Sequence, residues 1–87
     1  MSEIEIAFIG GSGLYKIPNL KKIKWKTVKS SFGKPSWKVC VGSLNGKSIA
    51  FLPRHGINHN ISPSKINYRA NIECLKKLGV QNIISLS

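Results

Sequence analysis

Apolar positions along the chain fall into short runs broken by Gly, Pro, Asn and Lys. Residues 4 to 9 (IEIAFI) end at Gly10-Gly11, which predicts a buried first strand entering a glycine turn. Between Asn19 and Ser31, Ile23, Trp25 and Thr27 alternate with Lys22, Lys24 and Lys26. That pattern fits a strand with one basic face at a sheet edge, where Lys discourages further pairing. Phe32 to Ser36 reads as a turn. WKVCVGSL and KSIAFLP then flank Asn45-Gly46, a strong short signal for a β-hairpin, with strands near 37 to 44 and 47 to 52. Arg54 to Pro63 holds Gly, Pro, Asn and both histidines without periodicity and reads as a loop. Tyr68, Ile72, Leu75 and Leu78 recur at helical spacing, with Ser64 as a candidate N-cap, Lys76 and Lys77 in the last turn and Gly79 as the stop. VQNIISLS opens another buried strand. The expected core is Ile6, Phe8, Val39, Val41, Ile49, Phe51, Tyr68, Ile72, Leu75 and Ile83.

A helix that stops at glycine and feeds an apolar strand belongs to an alternating α/β fold, because parallel strands need such a crossover. The expected class is therefore α/β, with residues 1 to 87 forming the incomplete N-terminal portion of a single domain. A chain of 87 residues buries only about 60–65% of its unfolded surface, which excludes a deep two-domain active site. Fourteen Lys and Arg stand against three acidic residues, a net charge of +11, and all three acids are Glu. Such an excess raises the expectation of an anionic partner. Aromatic residues interleave with the lysines only thinly, so the lysines read mostly as solvated surface and nucleic acid is not the expected partner. Cys40 and Cys74 sit in apolar surroundings without C-x-x-C spacing, as buried free thiols in a reducing, cytoplasmic compartment would. No signal peptide or membrane span is expected from MSEIEIAFIGG.

Several motifs carry chemistry. Gly10-Gly11-Ser12-Gly13 after a strand lets backbone N–H groups and a hydroxyl approach an anion. It is not a dinucleotide fingerprint, since Lys16 stands where G-x-G-x-x-G requires Gly. Gly42 to Ser48 resembles a P-loop one residue too short and is better read as the hairpin. Cys40, His55, His59 and Cys74 match no zinc spacing, and no metal is expected. Arg54-His55 at a strand end is a good oxyanion site, combining a charged fork with a directional imidazole.

IGGSGLY at 9 to 15, FGKPS at 32 to 36 and PRHGINHNISPSKINYRANIECLKKLG at 53 to 79 together resemble the N-terminal third of the S-methyl-5'-thioadenosine phosphorylases and related trimeric purine nucleoside phosphorylases. The resemblance implies an α/β sandwich around a mixed sheet, assembly as a homotrimer or homohexamer, and phosphorolysis of a purine nucleoside to free purine and pentose 1-phosphate. It places phosphate on Ser12, Arg54, His55 and Ser87, with inorganic phosphate a substrate and no cofactor. Methylthioadenosine is the expected nucleoside, with 6-oxopurine nucleosides or methylthioinosine as alternatives. A small basic nucleic-acid-binding protein is the alternative of another class. The purine-recognising Asp residues of the family have no counterpart here, since the chain contains no Asp. Residues 1 to 87 alone are therefore expected to be inactive. Ile57 and Trp37 depart from the family pattern, which favours polar or basic residues at those places.

Overall fold

The computed structural model describes residues 4–11, 18–56 and 61–86. Five strands form one mixed sheet: β1 (Ile6–Gly10), β2 (Lys21–Lys26), β3 (Val39–Leu44), β4 (Lys47–Pro53) and β5 (Asn82–Ser85). One helix, α1 (Tyr68–Lys77), connects β4 to β5. The spatial order is β2-β3-β4-β1-β5. β1 runs parallel to both β4 and β5, whereas β2-β3 and β3-β4 are antiparallel.

The hairpin forms where expected. Asn45 and Gly46 both have positive φ, 50° and 81°, as a two-residue turn matched to strand twist requires. β2 is shorter than its apolar-basic alternation implies and is bulged. Its pairing steps from Lys21 opposite Ser43 to Lys24 opposite Val41, so three residue steps face two, and Lys22 takes a φ of 56°. Leu20 closes over Gly42, where an added Cβ would lie 2.9 Å from Leu20 Cδ1.

Ladder register fixes which side chains share a face. Trp25, Cys40, Phe51, Phe8 and Ile84 form one row across all five strands. The adjacent row, Val41, Ala50, Ala7 and Ile83, belongs to the opposite face, as do Val39, Leu52 and Ile9. The main hydrophobic cluster lies on that second face, uniting Ile4, Ala7, Ile9, Val39, Ala50 and Leu52 with Cys74 and Leu75 of α1. This corrects the expected core. Val39 and Leu75 belong to the cluster, and Val41, Ile72 and Ile83 flank it. Ile6, Phe8 and Ile49 lie half-buried on the other face, where Phe51 is buried. Tyr68 is 54% exposed. Both faces of β1 and β4 are apolar, as parallel strands commonly are, so alternation alone does not identify the face that receives the helix. The face that does so carries Ala7 and Ala50, whose small side chains permit close approach.

Asn67, not Ser64, caps α1: its Oδ1 accepts from Ala70 N at 3.1 Å. Ser64 lies in a short 3-10 turn, Pro63–Lys65. At the other end Gly79, with φ 82°, allows Val80 N to bond Leu75 O and Gly79 N to bond Lys76 O, the paired bonds of a Schellman stop.

The helix also grips the segment joining β2 to β3 through polar contacts. Asn71 and Ser36 are both buried and bond reciprocally: Ser36 N donates to Asn71 Oδ1 at 2.8 Å, and Asn71 Nδ2 donates to Ser36 Oγ at 3.0 Å. Asn67 Nδ2 donates to Phe32 O, and Lys77 Nζ to Lys29 O, each at 2.8 Å. Glu73 accepts from Ser30 Oγ, Ser31 N and Ser31 Oγ. Those bonds stabilise the carboxylate and hold its pKa below the ordinary Glu value, led by the Ser30 hydroxyl.

Asn71→Ala strands two groups of the Ser36 pair and is expected to lower unfolding stability by about 1–3 kcal/mol. Tyr68→Ala, at an exposed position, should stay within about 0.5 kcal/mol, and urea unfolding of both variants checks the contrast. The depressed Glu73 pKa stabilises the folded state fully above the unfolded Glu value, and that contribution disappears as pH falls through the lower folded value. Acid titration followed by tryptophan fluorescence should thus show release of the 28–36 segment, and Glu73→Gln should remove the transition.

Candidate functional site

Three parallel strands end side by side. Gly10 of β1 is level with Pro53 of β4, and Ile9 is level with both Leu52 and Ser85 of β5. Ligands of open α/β sheets bind beyond such carboxyl ends. Pro53 supplies no N–H and closes β4. Pro53-Arg54-His55-Gly56 then forms a β-turn, with Gly56 N donating to Pro53 O at 3.1 Å and a Gly56 φ of 79°. Arg54 and His55 occupy its two corners, so both side chains leave the sheet at the strand end.

Arg54 ties the three ends together. Its backbone N donates to Gly10 O at 2.9 Å, and its Nη1 donates to Leu86 O at 2.5 Å. Leu86 N in turn donates to Ile9 O at 2.8 Å. Arg54 Nε points at His55 Nε2 at 3.4 Å. His55 Nδ1 lies 2.9 Å from Ile61 O, and since a carbonyl can only accept, Nδ1 carries the proton. In the neutral ring Nε2 is then the acceptor facing Arg54. A second bond, Ile61 N to His55 O at 3.1 Å, fixes the same pair of residues. The Arg54 guanidinium bonds no carboxylate among the described residues. The guanidinium edge beyond Nη1 and Nε has no partner there either. A fixed cation beside a neutral imidazole offers charged donors from Arg54 and an acceptor at His55 Nε2, a set suited to a partly protonated oxyanion.

Of the expected site residues, the structure places Arg54 and His55 on one turn at the ends of β1, β4 and β5. Ser12 and Ser87 lie outside the described residues, although Gly11 and Leu86, which adjoin them in sequence, are at this end of the sheet. The carbonyls of Leu86 and Ile61, which orient Arg54 and His55, leave no side-chain signal in the sequence. Cys40 and Cys74 are buried and free, and burial pushes both thiols up from their ordinary pKa. They are neutral core groups rather than nucleophiles.

Residues 5–87 match the family model of the Phosphorylase superfamily. The chain is 53% identical over 83 residues to an S-methyl-5'-thioadenosine phosphorylase of Hyperthermus butylicus, covering 95% of this chain and 30% of that protein. It is 50% identical over 82 residues to one of Rhodospirillum rubrum, covering 94% and 28%. Among solved structures, a methylthioadenosine phosphorylase from an antarctic soil metagenomic library superposes with a TM-score of 0.91 at 45% identity, covering 98% of this chain and 30% of that one. The methylthioadenosine phosphorylase of Schistosoma mansoni in complex with adenine gives 0.82 at 40% identity, covering 95% and 30%. The chain thus spans about a third of the length of the relatives it matches.

Arg54→Ala should leave the Leu86 carbonyl without its partner and loosen the end of β5. Hydrogen exchange at the Leu86 amide is expected to accelerate about tenfold or more, while Ala7 and Ala50 in the middle of the sheet keep their protection.

Proposed function

Since this chain belongs to the phosphorylase superfamily, we propose that the site at the ends of β1, β4 and β5 is the inorganic-phosphate cradle of a purine nucleoside phosphorylase, with S-methyl-5'-thioadenosine as the nucleoside. The observation that carries this reading is the Arg54-His55 corner, whose guanidinium is bonded across to β5 and whose backbone is bonded to β1. The names of the similar proteins support methylthioadenosine over 6-oxopurine nucleosides. A homotrimer or homohexamer in the cytoplasm goes with the same reading.

In this mechanism Arg54 gives two N–H groups to one phosphate, releasing its long contact to His55. His55 Nε2 accepts from a P–OH or, when protonated, donates to a P–O⁻. Ser12 and Ser87 add hydroxyls. A phosphate oxygen so held attacks the anomeric carbon as the glycosidic C–N bond breaks, and the departing purine takes up one proton, matched overall by the one that hydrogen phosphate gives up. Placement of the nucleophile lowers the barrier by several kcal/mol. Recognition of the purine falls to groups other than these.

Inorganic phosphate titrated into the chain should broaden its phosphorus NMR line, and Arg54→Ala should remove the effect while Tyr68→Ala preserves it. In an enzyme carrying this segment, Arg54→Ala is expected to raise the phosphate KM about 10- to 100-fold, the worth of a charged hydrogen bond, and to change the nucleoside KM little. Unchanged phosphate parameters would remove Arg54 from the cradle. The 87-residue chain by itself is expected to release no purine from methylthioadenosine, inosine or guanosine in excess phosphate.

A further inference from the structure

The structure gathers lysines that look dispersed in sequence. Seven of them, Lys21 to Lys38, fall on β2 and the segment after it, and no acidic residue occurs between Glu5 and Glu73. Every residue of β2 is exposed. Its lysines run along the sheet edge for roughly 16 Å at strand rise. Beyond β2 the chain bounds a groove of about 700 Å³ that includes Lys29, Lys34, Lys38, Trp37 and Ile61 in its lining. Glu73, the acid closest to this segment, is occupied by Ser30 and Ser31.

Lysines alone would be explained as protection of an edge strand. Trp37 is not. Trp25 belongs to the row of Cys40 and Phe51 across the sheet, but Trp37 is 41% exposed and lines the groove. Lys38 Nζ sits 5.9 Å from the Trp37 ring centroid, so cation and aromatic face are presented together. Trp37 lines a concavity of nucleotide size, which a flat lipid surface does not enter and a duplex with stacked bases does not fill.

We propose that the Trp37 groove and the lysine edge of β2 form a track for single-stranded nucleic acid, with one base stacked on Trp37 and the backbone phosphates on Lys29, Lys34, Lys38 and the lysines of β2. Charge supplies the sequence-independent attraction and the indole supplies the preference for unpaired bases. This revises the reading of the lysines as plain solvated surface. The groove adjoins the phosphate cradle through Ile61, whose carbonyl accepts the His55 Nδ1 proton, but the track uses neither Arg54 nor His55.

The test is anisotropy of a labelled oligouridine of about ten nucleotides with the whole chain, over a salt series. Trp25→Phe is the background, so that Trp37 alone reports by fluorescence quenching. Binding should quench Trp37 and fall steeply with salt. Trp37→Ala should weaken it about tenfold at an unchanged salt slope, with Trp37→Phe restoring most of the loss. Lys29→Gln, Lys34→Gln and Lys38→Gln together should reduce the log-log salt slope by about 2. Far-UV circular dichroism verifies the fold of each variant. The proposal is overturned by heparin binding as tightly with no role for Trp37, by tighter binding of duplex or of anionic vesicles, or by no binding. Displacement by millimolar inorganic phosphate together with loss in Arg54→Ala would also overturn it, because the oligonucleotide would then be occupying the phosphate cradle.

Discussion

The parallel insertion of β1 between β4 and β5 is the constraint from which the site follows. Backbone bonds extend the pairing past both ends of the strand: Gln81 N to Ile4 O and Glu5 N to Ser48 O at one end, Arg54 N to Gly10 O and Leu86 N to Ile9 O at the other. Because both neighbours run in the same direction as β1, three chain exits are held level, and the residues following each strand meet. A one-residue slip would exchange the faces of every side chain in β1. It would also carry Gly10 away from the Arg54 amide. The turn that carries the charged groups is thereby tied to the central ladder through the Arg54 backbone.

That ladder needs a cover on at least one face, and α1 supplies it with a stripe that is only partly apolar. Ala70, Cys74 and Leu75 are buried with Asn71 among them. The polar member is tolerated because Ser36 satisfies both its oxygen and its amide nitrogen, and an unsatisfied amide at that depth would cost more than the pair gains. The same helix holds Phe32 through Asn67 and the Ser30-Ser31 pair through Glu73. Packing and polar contacts thus divide the work: the apolar side orders the sheet, and the polar side fixes the path from β2 to β3, including the wall that carries Trp37.

Much of this was legible where the signal is local. Asn45-Gly46 specifies its own turn, Gly79 its own helix stop, and the glycine pair after Ile9 the end of β1. Face choice was not local. Ile6, Phe8, Ile49 and Phe51 outweigh Ala7 and Ala50 in apolar bulk, yet the helix packs where the alanines allow it to come close. Asn71 carries no signal in the sequence, because the residue that satisfies it, Ser36, lies 35 residues away. Arg54 and His55 stood out as chemistry-bearing neighbours, but the carbonyls that aim them belong to Leu86 and Ile61, and any residue with a backbone oxygen could serve there.

Orientation by carbonyls has a functional consequence. A guanidinium held by a carboxylate is partly neutralised and attracts a second anion weakly, whereas a carbonyl accepts its hydrogen bond without cancelling its charge. The Leu86 carbonyl positions Arg54 and leaves it a full cation. The Ile61 carbonyl holds the His55 proton on Nδ1 and so keeps Nε2 as an acceptor facing Arg54. Glu73 of α1 is engaged by Ser30 and Ser31, so among the described residues it does not compete with an anion for the Arg54 guanidinium.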